Sequence, residues 1–255
     1  MSRNFELLQQ AGWDEGIFRK TSPVPEPATE PSPAPVPTPS VLPGKRSLVD
    51  TDLCLFVHSI FLESARTSPK AAVFSGLKRH VGCSSVCAAV TRVLAQETQQ
   101  RVCAVDGNSL APSLHLYFGA SNHTGLTDFL QLTQPLDAFA QRFAGSNHWF
   151  LAHGQSGAGR RPVAGSLGSG RWIRELRNSF DFVLIDAPPL TVGKAAVNLA
   201  ATSDGVILVA DSSEAFASDL WNTKRRLQSA RVPLLGVVMT QESDRAPNLL
   251  TRLFQ

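Results

Sequence analysis

From about residue 45 onward, short apolar runs alternate with amphipathic segments. The clearest run, Phe182-Val183-Leu184-Ile185, is continuous and ends on Asp186-Ala187-Pro188-Pro189. A continuous apolar run of strand length, stopped by prolines, reads as a parallel strand buried on both faces. Here it carries a carboxylate at its carboxyl end. Similar runs predict strands over 71–75, 102–106, 148–152, 205–210 and 234–240. Helical spacing of apolar positions predicts helices over 48–66, 84–96, 126–132, 136–143, 171–178, 195–201 and 219–230, with a glycine-rich loop over 154–170. Strands interleaved with helices imply right-handed crossovers and a mostly parallel sheet covered on both faces. The expected fold is therefore a doubly wound α/β domain over residues 45–255.

The first 44 residues break this pattern. Phe5, Leu7, Leu8 and Trp13 lie in a polar background over 1–20, which predicts a short amphipathic segment. Residues 21–44 hold nine of the 17 prolines. Such a stretch lacks the donors for helix or sheet and is expected to be an extended linker.

Composition narrows the function classes. A net charge of +3 is too small to argue, on its own, for nucleic acid or an anionic membrane as a partner. The four cysteines, Cys54, Cys83, Cys87 and Cys103, show no paired CxxC spacing, which fits a reduced protein more than a zinc module or a disulfide scaffold. Cys83 and Cys87 stand four apart on one predicted helix face. His115, His123, His148 and His153 show no metal-like spacing and are expected in loops. No apolar run approaches the length of a membrane span and no standard export leader is readable, so a cytoplasmic location is expected.

The chemistry concentrates in two places. In open α/β sheets ligands bind beyond the carboxyl ends of the strands, which puts Asp106 and Asp186 at that edge. Between the first strand and its helix the chain reads Ser75-Gly76-Leu77-Lys78-Arg79-His80-Val81-Gly82-Cys83-Ser84-Ser85. A phosphate loop needs inward-turned amides, glycines that allow the turn, and a helix N-terminus behind them. Against the pattern G-x-x-x-x-G-K-[ST], Gly82 fills the second glycine and Ser84 the hydroxyl that faces Mg²⁺. Cys83 stands where the lysine belongs, and Gly76 lies one residue early. Lys78, Gly82, Cys83, Ser84 and Ser85 are the candidate nucleotide-binding residues, with Ser84 and Asp186 as candidate metal ligands. Lys78-Arg79-His80 is open to two readings, an anion contact or a solvated loop.

Several stretches together resemble the bacterial tyrosine kinase family of the CpsD/CapB type, a branch of the ParA/MinD-like P-loop proteins. They are Val102–Asp106 followed by Pro112-Ser113-Leu114-His115 and Phe118-Gly119; Gly125-Leu126-Thr127-Asp128-Phe129-Leu130; Phe180–Pro189; and the strands beginning at Asp204 and Leu235. The resemblance spans roughly 70–240. It implies ATP and Mg²⁺ as cofactors, catalytic roles for Asp106 and Asp186, and a phosphate contact across a dimer for Lys78. It also implies a membrane polysaccharide co-polymerase as partner, which would hold the protein at the inner membrane, and homo-oligomers.

The departures fall on the chemistry. The family's D-x-D-x-R reads Asp106-Gly107-Asn108-Ser109-Leu110, and Lys194 stands where an acid is usual. The family ends in a tyrosine cluster that it phosphorylates; this chain has one tyrosine, Tyr117. The expected function is a degenerate kinase-like protein that regulates or scaffolds exopolysaccharide synthesis, with nucleotide binding left open and catalysis disfavoured. The alternatives are an active kinase or ATPase with an atypical loop, and a ParA/MinD-like positioning ATPase.

Overall fold

The computed structural model describes residues 48–63, 68–132, 134–155, 170–192, 194–213, 217–241 and 248–252. The expected amphipathic segment and proline-rich linker lie outside them, as does most of the glycine-rich loop. Eight strands form one sheet in the order β3-β4-β2-β5-β1-β6-β7-β8. They are β1 Ala71–Gly76, β2 Val102–Asp106, β3 Gln141–Arg142, β4 His148–Leu151, β5 Phe182–Ala187, β6 Gly205–Asp211, β7 Leu234–Gln241 and β8 Asn248–Arg252. The six inner strands are parallel, and both edge strands pair antiparallel.

Side chains alternate across a strand, and the core divides accordingly. Ala71 and Val73 of β1, with Val183 and Ile185 of β5, enter one layer; Ala72, Phe74 and Leu184 enter the other. The first layer is covered by α5 (Arg171–Ser179), α6 (Ala195–Ala201) and α7 (Ala217–Ser229). The second is covered by α1 (Leu48–Val57), α2 (Cys83–Glu97) and α3 (Leu114–Phe118). Burial of each large apolar side chain contributes roughly 1.5–3 kcal/mol, and Trp172, Phe56, Phe61 and Phe150 are among the largest enclosed. Gly236 of β7 lets Phe56 close: a Cβ there would lie 3.1 Å from its ring.

The stripe Val86, Cys87, Val90 and Leu94 buries one face of α2 at helical spacing. Parity places Asp106 and Asp186 on this same side, because Ala104 and Leu184, two residues earlier, face the α2 layer. The two acids are also register partners at the adjacent ends of β2 and β5.

The structure corrects several expectations. The helix expected over 48–66 runs as α1 and then widens into a π-helical turn at His58–Leu62. The helix expected over 126–132 is a single turn, α4 (Leu126–Phe129). Over 136–143 there is one 3₁₀ turn at Leu136–Ala138, after which Gln141–Arg142 becomes the antiparallel edge of β4. Two residues are too few to show a strand period. His148 lies in β4 and His115 in α3, not in loops.

Candidate functional site

At the carboxyl end of β1 the chain turns through a loop into α2. The loop is tied down on three sides. Ser75 Oγ donates to the Pro188 carbonyl at 2.6 Å, Thr191 Oγ1 to that of Leu77 at 3.0 Å, and Thr240 Oγ1 to that of Val81 at 2.9 Å. Gly82 precedes the helix with φ +78°, a left-handed conformation that favours glycine. Behind it the first-turn amides of α2 have no intrahelical acceptor, and the helix dipole makes that end positive.

The loop forms one wall of a cleft of about 160 Å³. That is below the roughly 300–1,000 Å³ of sites that enclose a whole ligand, so the cleft suits a phosphate chain with the rest of the molecule outside. Lys78, Arg79, His80, Gly82, Cys83 and Ser84 line one side. Asn108, Leu110, Ser113 and Tyr117 line the other, with Ala187 and Pro189 below. Of the expected loop residues, Ser85 does not line the cleft. Lys78 does, and its ammonium also pairs with Asp219 of α7 at 3.9 Å.

Under the loop lies a polar chain. Ser113 Oγ donates to Ser84 Oγ at 3.0 Å, and Ser84 Oγ donates to Asp186 Oδ2 at 2.5 Å. Asp186 is fully buried, and its Oδ1 has no hydrogen-bond partner. Burial pushes its carboxyl up to about 6, although hydrogen bonds from Ser84 and Cys83 oppose the rise. A hydroxyl beside a carboxylate with one orphaned oxygen is a hard, oxygen donor set, which fits a divalent cation such as Mg²⁺.

Asp106 sits differently. It is also fully buried, but its oxygens accept from the Asn108 amide at 3.2 Å and the Leu114 amide at 3.0 Å. It closes the 106–114 loop; like Asp186 it lies beneath the cleft lining, but unlike Asp186 it has no hydroxyl partner that reaches the cleft. Burial first, and then the charge of Asp186, push its carboxyl up to about 7. His153, expected in a loop, is buried against it, with Nδ1 3.2 Å from the Asp106 carbonyl.

Cys83 takes the place of a charged group without supplying charge. Burial, then the neighbouring Asp186 carboxylate, hold its thiol well above the usual range. The residues thus fit a cation at Ser84 and Asp186 and an anion along the loop, and they do not fit the direct lysine contact to phosphate. Thr191, Thr240 and Asp219 escaped the sequence reading, and Ser113 and Tyr117 were named there without a place in the site. They join the site only through contacts between distant segments, and no local spacing marks them.

No family model matches the chain. It is 28% identical over 162 residues to the tyrosine-protein kinase YwqD of Bacillus subtilis, covering 62% of this chain and 66% of that protein. It is 24% identical over 178 residues to the tyrosine-protein kinase ptk of Acinetobacter johnsonii, covering 70% of this chain and 24% of that longer protein. The chain thus spans just under two thirds of the first relative and about a quarter of the second. Among solved structures, the chimerical protein CapA2B2 superposes with a TM-score of 0.68 at 20% identity, covering 78% of this chain and 86% of that one. MinD from Pyrococcus horikoshii, complexed with Mg-ADP, gives 0.55 at 23% identity, covering 66% and 68%. In sequence the chain resembles the bacterial tyrosine kinases, and its fold is the P-loop fold of their kinase domains and of ParA/MinD-like ATPases.

Proposed function

We propose that this protein is a degenerate bacterial tyrosine kinase-like protein that regulates or scaffolds exopolysaccharide synthesis. It keeps a cation-and-phosphate cleft and has lost efficient phosphoryl transfer. The observation that carries this reading is Cys83, uncharged and half-buried in the wall of the cleft, at the position of the phosphate lysine. Transfer of a phosphoryl group depends on stabilising charge at the transferring oxygens, and a neutral thiol supplies none.

Bound Mg·ATP would bring the metal and the phosphate chain. Ser84 and Asp186 hold the metal in this reading, while Arg79, His80 and the first-turn amides of α2 face the phosphates. Asn108 lines the cleft as an amide, so the second carboxylate of the family motif is missing there too. Tyr117, the single tyrosine of the 255 residues, lines the cleft. The kinases of this resemblance act with a membrane polysaccharide co-polymerase, and we assign this protein the same partner. That partner would bring it to the inner membrane.

The test is complementation of a deletion strain. Asp186→Asn removes the metal-binding charge and leaves the exposed surface unchanged. A scaffold restores polymer output to the level of the parent protein. An output that stays at the deletion level, with the variant present at normal abundance, would show that output depends on an occupied cleft and would overturn a scaffold that works without nucleotide.

A further inference from the structure

The two layers that cover the sheet differ in charge. Helices α5, α6 and α7 carry six basic residues, three arginines in α5 and Lys224, Arg225 and Arg226 in α7. Against these they carry two acids, Glu175 and Asp219. Asp219 is paired with Lys78, and Glu175 lies 3.6 Å from Arg171. The opposite layer lacks this excess: among residues whose side chains are described, α1, α2 and α3 carry Asp52 and Glu97 against Arg92. A net charge of only +3 for the whole chain hides this polarity.

Four of the six face outward together, whereas Arg177 is half-buried and pairs with Asp204 at 2.6 Å, and Arg226 turns to a backbone carbonyl. In α7, Thr223 and Leu227 are buried, so helical geometry sets Trp221, Arg225 and Gln228 on the opposite side, with Lys224 beside them. In α5, Trp172, Ile173 and Leu176 are buried, which turns Arg171 and Arg174 outward. Lys194, at the start of α6, is exposed between the two helices. The three helices form one layer: Gly170 packs against Thr202 at the end of α6, and Arg226 Nη1 donates to the Leu190 carbonyl at 2.5 Å.

We infer that this face docks directly on an anionic lipid bilayer. Trp221 favours lipid over other polyanions. Its indole is 62% exposed in the middle of the basic stripe, and an indole flanked by cations suits the headgroup region, where its ring can bury and its N–H stay wet. The charge polarity across the sheet would also orient the molecule, drawing the α5–α7 face to the membrane and turning the opposite layer away. The docking needs neither nucleotide nor the cleft.

The test is co-sedimentation of the full-length protein with vesicles. One set is pure phosphatidylcholine, and the other is an equimolar mixture with phosphatidylglycerol. Binding is expected to the mixed vesicles alone and to weaken as salt rises. Each basic residue at an anionic surface accounts for about fivefold in affinity, so the double variant Lys224→Ala/Arg225→Ala should bind roughly 30-fold more weakly. Both residues are exposed and outside the core, so the variant is expected to fold. Trp221→Ala should weaken vesicle binding as well. The proposal is overturned by equal binding to neutral vesicles, by absence of binding, or by a double variant that sediments like the parent. It is also overturned if duplex DNA, at the same salt, competes the protein off the vesicles and Trp221→Ala has no effect; the face would then be a nucleic-acid surface.

Discussion

Cys83→Lys should raise the affinity for Mg·ATP by 10- to 150-fold. A hydrogen bond to a charged group contributes roughly 1.5–3 kcal/mol net, and each 1.4 kcal/mol is about a factor of ten. Several parts of the cradle are already in place, although Gly76 lies one residue early. Gly82 takes the left-handed turn, the Thr191 and Thr240 hydroxyls hold loop carbonyls while Ser75 Oγ ties the end of β1 to the Pro188 carbonyl, and α2 points its N-terminus at the cleft. The new ammonium would stand beside Asp186, whose charge the thiol leaves uncompensated, and would draw that carboxyl back down. Phosphoryl transfer should recover less than binding, because Asn108 still lacks the second carboxylate. Titration calorimetry of parent and variant reads the difference. Equal affinities would mean that the loop does not cradle a phosphate chain and that Cys83 replaces nothing.

The second large effect is on stability against pH. Asp186 is held at about 6 and Asp106 at about 7, whereas an unfolded aspartate titrates near 3.9. The folded protein therefore keeps protons that the unfolded chain has released, and stability falls as pH rises from about 4 to about 7. It should be level above that window. At 1.36 kcal/mol per pH unit, Asp186 alone accounts for about 3 kcal/mol; the two acids interact, so their contributions do not simply add. Asp186→Asn can still accept the Ser84 hydroxyl and carries no charge. It should be more stable than the parent by up to about 3 kcal/mol at pH 8, and the gap should close toward pH 4. Urea midpoints across this range measure it. A parent that gains stability between pH 4 and pH 7, or an asparagine variant that is weaker at pH 8, would contradict the assignment. A buried carboxylate that lowers stability is the signature of a group whose role lies in binding.

The parts of this fold that were legible in sequence are those whose signal is local. Continuous apolar runs gave away β1, β2, β4, β5, β6 and β7, since a strand buried on both faces leaves no room for polar alternation. The edge strands β3 and β8 carry no such run. Gln141–Arg142 is a strand only because Trp149 and Phe150 lie beside it, and Asn248–Arg252 only because β7 does. Helix α3 follows Pro112-Ser113 and is five residues long, too short for an apolar period.

At the site, spacing brought Ser84 and Asp186 to one edge, and the structure joins them at 2.5 Å. The same reading set Asp106 there as a catalytic group. Nothing in the sequence shows that two backbone amides claim its oxygens. Lys78 likewise reads as an anion contact, and its Asp219 partner lies far along the chain on α7.

The most direct test of a cleft that binds phosphate without transferring it is a calorimetric titration of the purified protein with ATP and with ADP, each with Mg²⁺, beside Asp186→Ala. Weak but saturable binding by the parent is expected, lost in the variant, with no release of phosphate over the same interval. Rapid turnover of ATP by the parent would contradict it from one side. No binding of either nucleotide at millimolar concentration would contradict it from the other.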